Sequence, residues 1–234
     1  MKVFLSPSNQ KSNTWAVGKT NEKVQATLFA DKLQALLEKQ GVEVARADSA
    51  SIAKRINYAK GCDLIIPLHT NAYNKQVRGC RLFVYERNKN TPDALADKNR
   101  EAMDAIRAEV NLLGMSRNPL MYFDYANWTE LSNAAAAGIP AVYSESIFHD
   151  NVEDCEWYFK NVDRLAEAYA KGICAYGGVT YKQAAQEAPS APESAGNADK
   201  IYRVQVFAGS KAGAEKALAK AKAAGFADAF IKEN

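Results

Sequence analysis

A chain of 234 residues with 24% charged and 10% aromatic residues is long enough to bury a full core and too apolar for disorder. Its net charge of +3 is too small to mark a nucleic-acid binder, and it is unevenly spread: residues 200–234 carry seven Lys and Arg against three Asp and Glu, so this +4 leaves −1 on the rest. No apolar run approaches the ~18 residues of a membrane span, and the three apolar residues after Lys2 fall short of the ~7–15 of a secretory signal; the expectation is a protein made in a cytoplasm that reaches any outside target by another route.

In chain order, "KVFLS" is a strand that stops at the polar loop "PSNQ". From about Asn21 to Gln40, Val24, Leu28, Leu33, Leu36 and Leu37 recur near helical spacing, and Gly41 supplies the stop. "VEVARA" is a strand and Ser51 to Lys60 a short helix. "DLIIPLH" is an almost unbroken apolar run, as expected of a strand covered on both faces. "CRLFVYE" follows as a strand, then a helix over about Asp93–Leu113. "PLMYFD" reads as a strand or an irregular loop, "TELSNAAAAG" as a helix, "PAVYSES" as a strand, and Asn151 to Ala175 as a long helix. Strands alternating with helices imply an α/β fold, a mainly parallel sheet with helices on both faces, with functional groups at the carboxyl ends of the strands.

Residues 1–180 thus form a body. Residues 181–199, including "KQAAQEAPSAPESAGNAD", lack large apolar residues after Tyr181 and read as a linker. Residues 200–234 read as strand, Ala-rich helix and strand, a small βαβ unit that buries little surface alone. Cys62, Cys80, Cys155 and Cys174 show no CxxC spacing and read as reduced thiols.

Four polar residues stand where chemistry is expected. Gln10 follows the first strand, Glu22 opens the first helix, His69 ends "DLIIPLH", and Glu145 ends "PAVYSE". Each has a plainer role taken singly: a structural histidine, a carboxylate on a helix dipole, a solvated strand end. Together on one rim, a His, a carboxylate and a further N or O donor can hold Zn²⁺ with one position open for water, and a second carboxylate can act as general base. His149, in "ESIFH", shares a face with Glu145 if that stretch is helical, but reads more simply as a loop or cap residue. No GxSxG, P-loop or GxGxxG motif occurs.

At these residues the chain resembles the third family of zinc-dependent N-acetylmuramoyl-L-alanine amidases, found in autolysins and phage endolysins. The matching stretches are "VFLSPSNQKSN" with Asn21 and Glu22, Arg55 and Asp63 running into "LIIPLHTNA", "RGCRLFVYE", and "PAVYSESIFHDN", spanning about residues 3–175. The resemblance implies a twisted sheet between helices and one zinc ion. Glu22 and His69 match the second and third zinc ligands, and Glu145 the catalytic glutamate. The first ligand is usually His; here the register places Gln10 there, with Asn9 as its neighbour. Three readings stand: Gln10 ligates more weakly than His, His149 swings in to replace it, or the site is inactive.

The implied activity is hydrolysis of the amide between N-acetylmuramic acid and L-alanine in peptidoglycan, in a phage-type endolysin or autolysin. The alternative is a catalytically weak or inactive relative that binds cell-wall fragments. Ser6, Ser8 and Asn71 are candidates to orient ligands or substrate, and Tyr122, Tyr125 and Trp128 to wall the cleft, although turn and packing roles serve them as well. The tail resembles one half of a sporulation-related (SPOR) repeat, a glycan-strand-binding module; two chains pairing through it would supply the missing half.

Overall fold

The computed structural model describes residues 1–48, 50–85, 91–114 and 123–183, the side chains of 123–125 excepted. Ten of its eleven elements fall on stretches read as strand or helix from the sequence: β1 Lys2–Pro7, α1 Glu22–Lys39, β2 Glu43–Arg46, α2 Ile52–Tyr58, β3 Leu64–Asn71, β4 Arg81–Tyr85, α3 Asp93–Asn111, β5 Phe123–Ala126, α4 Thr129–Ala136, β6 Tyr143–Phe148 and α5 Val152–Tyr176. The eleventh is β5, where "PLMYFD" left strand and loop open; the strand begins later than that stretch. The linker from residue 184 on, the tail at 200–234 and any pairing of chains through it lie outside the described residues.

The sheet order is β2-β1-β3-β6-β4-β5. Four of its five pairings are parallel and only β4 with β6 is antiparallel, so the mainly parallel expectation holds. The β1–β3–β6 core of the sheet points one way, which brings three carboxyl ends to one rim. Alternation along β1 sorts the two faces. Val3 and Leu5 join Leu64, Ile66, Leu68, Leu82 and Val84 under α1, α3 and α5; Phe4 joins Ile65, Phe83 and Tyr143 beneath Leu131 and Ala134 of α4. All of β3 but its last residue is buried, which is why it reads as an unbroken apolar run.

Two departures bear on the site. β6 runs on to Phe148, so "ESIF" is extended rather than helical, His149 follows in a turn, and Glu145 sits inside the strand, not at its end. The β3–β6 register also shifts between His69 and Asn71. Each places side chains at the rim that a uniform ladder would not.

The helix layer is tightest where α5 crosses α3. A Cβ on Gly172 would lie 2.4 Å from the Ile106 Cα and 2.8 Å from the Ala105 carbonyl oxygen. Alanine is the better helix former by about 1 kcal/mol, but here it must push two helices apart. Gly172→Ala is therefore expected to lower stability by about 1–3 kcal/mol. Urea unfolding reads the change, and equal or greater stability would show that the helices do not need this close approach.

Candidate active site

The loop after β1 returns to the rim because it is tied at both ends. Ser8 N–H donates to the Leu68 carbonyl at 2.8 Å, and Thr14 and Asn21 form a bridge. Asn21 then caps α1, its side chain accepting from the Val24 N–H at 3.1 Å. This directs Glu22, in the first turn, back over the end of β3. Glu22 is fully buried and His69 is 5% exposed.

The imidazole of His69 is the centre of the arrangement. Its Nδ1 lies 2.8 Å from Glu22 Oε1 and 3.4 Å from Gln10 Nε2. Its Nε2 lies 2.9 Å from Glu130 Oε2. Its ring stacks on Tyr143 with centroids 4.5 Å apart. Glu145 is its register partner on β6, and parallel partners point to the same face. Two buried carboxylate oxygens here, Glu22 Oε1 and Glu145 Oε2, have no hydrogen-bond donor. The 2.8 Å approach of Glu22 Oε1 to Nδ1 is an ion pair with the charged ring, less well aligned for a hydrogen bond than the contact of Nε2 with Glu130.

Charge is strongly perturbed. Burial works against a charged His69, yet Glu130 and Glu22 outweigh it and raise the ring to about 9. Burial works against the charge on Glu22 too, but His69, Ser8 and Asn13 hold its carboxyl below the ordinary range. Burial pushes Glu145 up to about 8; His69 draws it down and Glu22 adds to the rise. Arg81 faces Glu145 across the ladder, but its guanidinium lies over the Phe148 ring, 5.1 Å from the centroid.

The structure brings Gln10, Glu22, His69 and Glu145 to one rim, as the sequence reading requires. Among the described residues no three His, Cys, Asp or Glu side chains form a ready metal cage. A cation here would use Glu22 Oε1, His69 Nδ1 and the Gln10 amide, and the unpartnered oxygens suit one. The amide is turned the other way: Asn13 donates to Gln10 Oε1 at 2.9 Å and to Glu22 Oε2 at 2.6 Å, leaving the Gln10 NH₂ toward the ring.

His149 is not brought in. Its Nδ1 lies 3.0 Å from both the hydroxyl and the carbonyl oxygen of Thr70, which points to the face opposite His69. Ser8 accepts from the Gln10 N–H, and Asn71 closes a turn onto Ala72. Asn9 is exposed. Trp128, 39% exposed, rests on Phe83 and Tyr143 at 4.6 and 4.7 Å, whereas the Tyr122 and Tyr125 side chains lie outside the described residues. Sequence reasoning missed Glu130, because a Glu in the first turn of an Ala-rich helix reads as a dipole partner.

The family model for N-acetylmuramoyl-L-alanine amidase matches residues 3–175. No curated protein sequence matches the chain. Among solved structures, an N-acetylmuramoyl-L-alanine amidase from Clostridium difficile 630 is similar with a TM-score of 0.65 at 20% identity, over 76% of this chain and 96% of that one. An amidase of Nostoc punctiforme gives 0.60 at 18%, over 76% and 97%. The catalytic domain of an endolysin targeting Clostridia difficile gives 0.58 at 21%, over 75% and 97%.

These charges set a pH dependence for protein stripped of divalent ions by a chelator. His69, raised from 6.5 to about 9, adds stability that is complete below 6.5 and lost as pH rises through 9. Glu145, raised from 4.5 to about 8, adds stability that is lost as pH rises through 8. The urea midpoint of chelated protein is therefore expected to fall between pH 6 and 9, and Glu145→Gln to flatten the lower part of that fall. A midpoint that is level or rises over this span would contradict the assignment.

Proposed function

The chain belongs to the N-acetylmuramoyl-L-alanine amidase family and is a peptidoglycan amidase; we propose that it works through one zinc ion held by Gln10, Glu22 and His69, with Glu145 as the proton carrier. The observation that carries this is the convergence of two buried carboxylates on one imidazole: Glu22 Oε1, 2.8 Å from His69 Nδ1, and Glu145 Oε2, which has no hydrogen-bond partner. A polar atom buried without a partner, as Glu145 Oε2 is, costs ~1–3 kcal/mol, and a cation with its water would satisfy it while taking the place of the ring's proton beside Glu22. Zinc bound there supplies a Lewis acid for the scissile amide carbonyl and for the attacking water.

The chain's own residues do the rest. Glu145 Oε2 is free to take a proton from the water and return it to the leaving L-alanine amine. Burial gives Glu145 a raised affinity for protons in the metal-free protein, and the positive charge of a bound cation would lower it toward the ionised form that accepts the water's proton. Glu22 brings one negative charge and Gln10 none, so the donor set carries the same charge as one with His in place of Gln10. Trp128 offers an exposed aromatic face beside the rim for sugar or stem peptide.

The reading extends to a phage-type endolysin or autolysin that meets the wall after release from the cytoplasm. It is supported by the location of the substrate and by the fold shared with an endolysin catalytic domain. The basic segment 200–234, as a half SPOR-like repeat completed by a second copy, would add a grip on glycan strands. A second reading, a wall-binding module with little activity, is favoured by one observation: Gln10 Oε1 is engaged by Asn13 and not by the site.

Two variants separate these readings. Glu145→Gln is expected to lower release of the L-alanine amine from a muropeptide by about 10²–10⁴-fold while zinc stays bound. Near-wild-type turnover would remove Glu145 from the reaction. Gln10→His is expected to tighten zinc binding by about tenfold or more, because imidazole is the better donor to this ion. Unchanged or weaker binding in a zinc titration would mean that Gln10 is not a ligand.

A further inference from the structure

Behind His69 lies a buried polar chain that the reaction above does not use. Glu130, Arg55 and Ser6 are 9%, 3% and 1% exposed. Ser6 donates its hydroxyl proton to Glu130 Oε1 at 2.5 Å. Arg55 Nη1 donates to Ser6 Oγ at 2.8 Å and to Glu130 Oε1 at 3.4 Å, while its Nε holds the Ala50 carbonyl at 3.1 Å. One carboxylate oxygen is thereby fixed by a serine and an arginine, and the other, Oε2, is aimed at His69 Nε2. The elements that meet here are β1, α2, β3 and α4, so the contact is built by the tertiary fold and by no single segment.

We propose that Glu130 is a positioning residue: it keeps the Nε2 proton on His69, so that Nδ1 is the nitrogen turned to Gln10 and Glu22. An ionised carboxylate can only accept, so the ring atom facing it must carry a proton. A neutral ring then has its lone pair on Nδ1, the side where Glu22 Oε1 and the Gln10 amide converge. Tyr143, stacked on the ring, and Glu130, bonded to its edge, together remove the rotations that would point Nδ1 elsewhere. A carboxylate on the far nitrogen also makes the near one a stronger donor, which offsets the weaker donation of an amide at position 10. The inference rests on the proposed zinc site only for its second readout.

Glu130→Gln tests it, because shape is kept and the acceptor is lost. Arg55 and Ser6 both donate toward position 130, so the amide must turn its oxygen to them and its NH₂ to His69. Nε2 then becomes an acceptor and the ring proton moves to Nδ1. The chain has only two histidines, so ¹⁵N NMR resolves both rings. In chelated protein above the ring's titration, wild type is expected to show His69 protonated at Nε2 and Glu130→Gln at Nδ1. Zinc affinity is expected to fall by about 10–100-fold. If the variant does not fold with Arg55 left unmatched, the double variant Arg55→Met with Glu130→Gln removes the stranded charge and is read in the same way. An unchanged tautomer, or zinc affinity within about twofold of wild type, would overturn the role of Glu130. Wild type that takes up no zinc, with the tautomer switch intact, would instead overturn the zinc reading and leave Glu130 in place.

Discussion

The structure depends on keeping a group of buried charges neutral. Glu22, His69, Glu130, Glu145 and Arg55 are all buried at one end of the sheet, where an uncompensated charge costs several kcal/mol. Without metal, His69 holds a proton, and so does Glu145; the positive ring and Arg55 then balance Glu22 and Glu130. Exchange those two protons for one divalent cation and the sum does not change, since His69 becomes neutral and Glu145 ionises. On the proposed zinc reading, the raised affinity for protons at His69 and Glu145 and the binding of a divalent ion are therefore one property seen under two conditions. The field of a bound cation would also turn Glu145 from an acid that keeps its proton into a base ready for one.

Gln10 stands at the least constrained edge of this group. Its charge is that of a neutral imidazole, so the exchange of two protons for one cation still balances with Gln at this position. What differs is donor strength and direction. The amide is one of two ends of a short chain in which Asn13 bonds both Gln10 and Glu22. Turning Gln10 Oε1 toward the ring sets its NH₂ against that of Asn13, and the lost hydrogen bond is worth roughly 1 kcal/mol. That is small beside the burial of an unmatched carboxylate, so the cluster of acids, not the amide, dominates the energetics of the site.

Much of this was legible in the sequence because it rests on local pattern. Unbroken apolar runs marked β1 and β3, and helical spacing marked α1 and α5, so Gln10, Glu22 and His69 could be put near strand and helix ends. Glu145 was identified but misplaced at the end of its strand, because "ESIFH" has no polar break and the extension of β6 to Phe148 comes from pairing with β3 and β4. Glu130 was invisible for a different reason. Its neighbours Ser6, Arg55 and His69 are 124, 75 and 61 residues away, and no periodicity spans such distances. Arg55 stood out only through the family resemblance: in α2 the apolar Ile52, Ile56 and Tyr58 read as the inward residues, yet Arg55 alone is buried.

The site thus has a rigid part and an adjustable part. His69 is stacked, bonded at Nε2 and walled by strands, while Glu22 leaves the first turn of a capped helix and Glu145 projects from inside β6. None of these can move without disturbing the sheet. Gln10 and Asn13 lie on a loop, one exposed and the other half-buried, and they can change partners without unpacking anything. On the proposed zinc reading, an amide in place of the usual histidine falls in that part, while the geometry of the cluster is set elsewhere. The same change at position 69 would remove the ring on which Tyr143, Glu130, Glu22 and Gln10 all converge, and leave buried carboxylates facing one another with nothing between them.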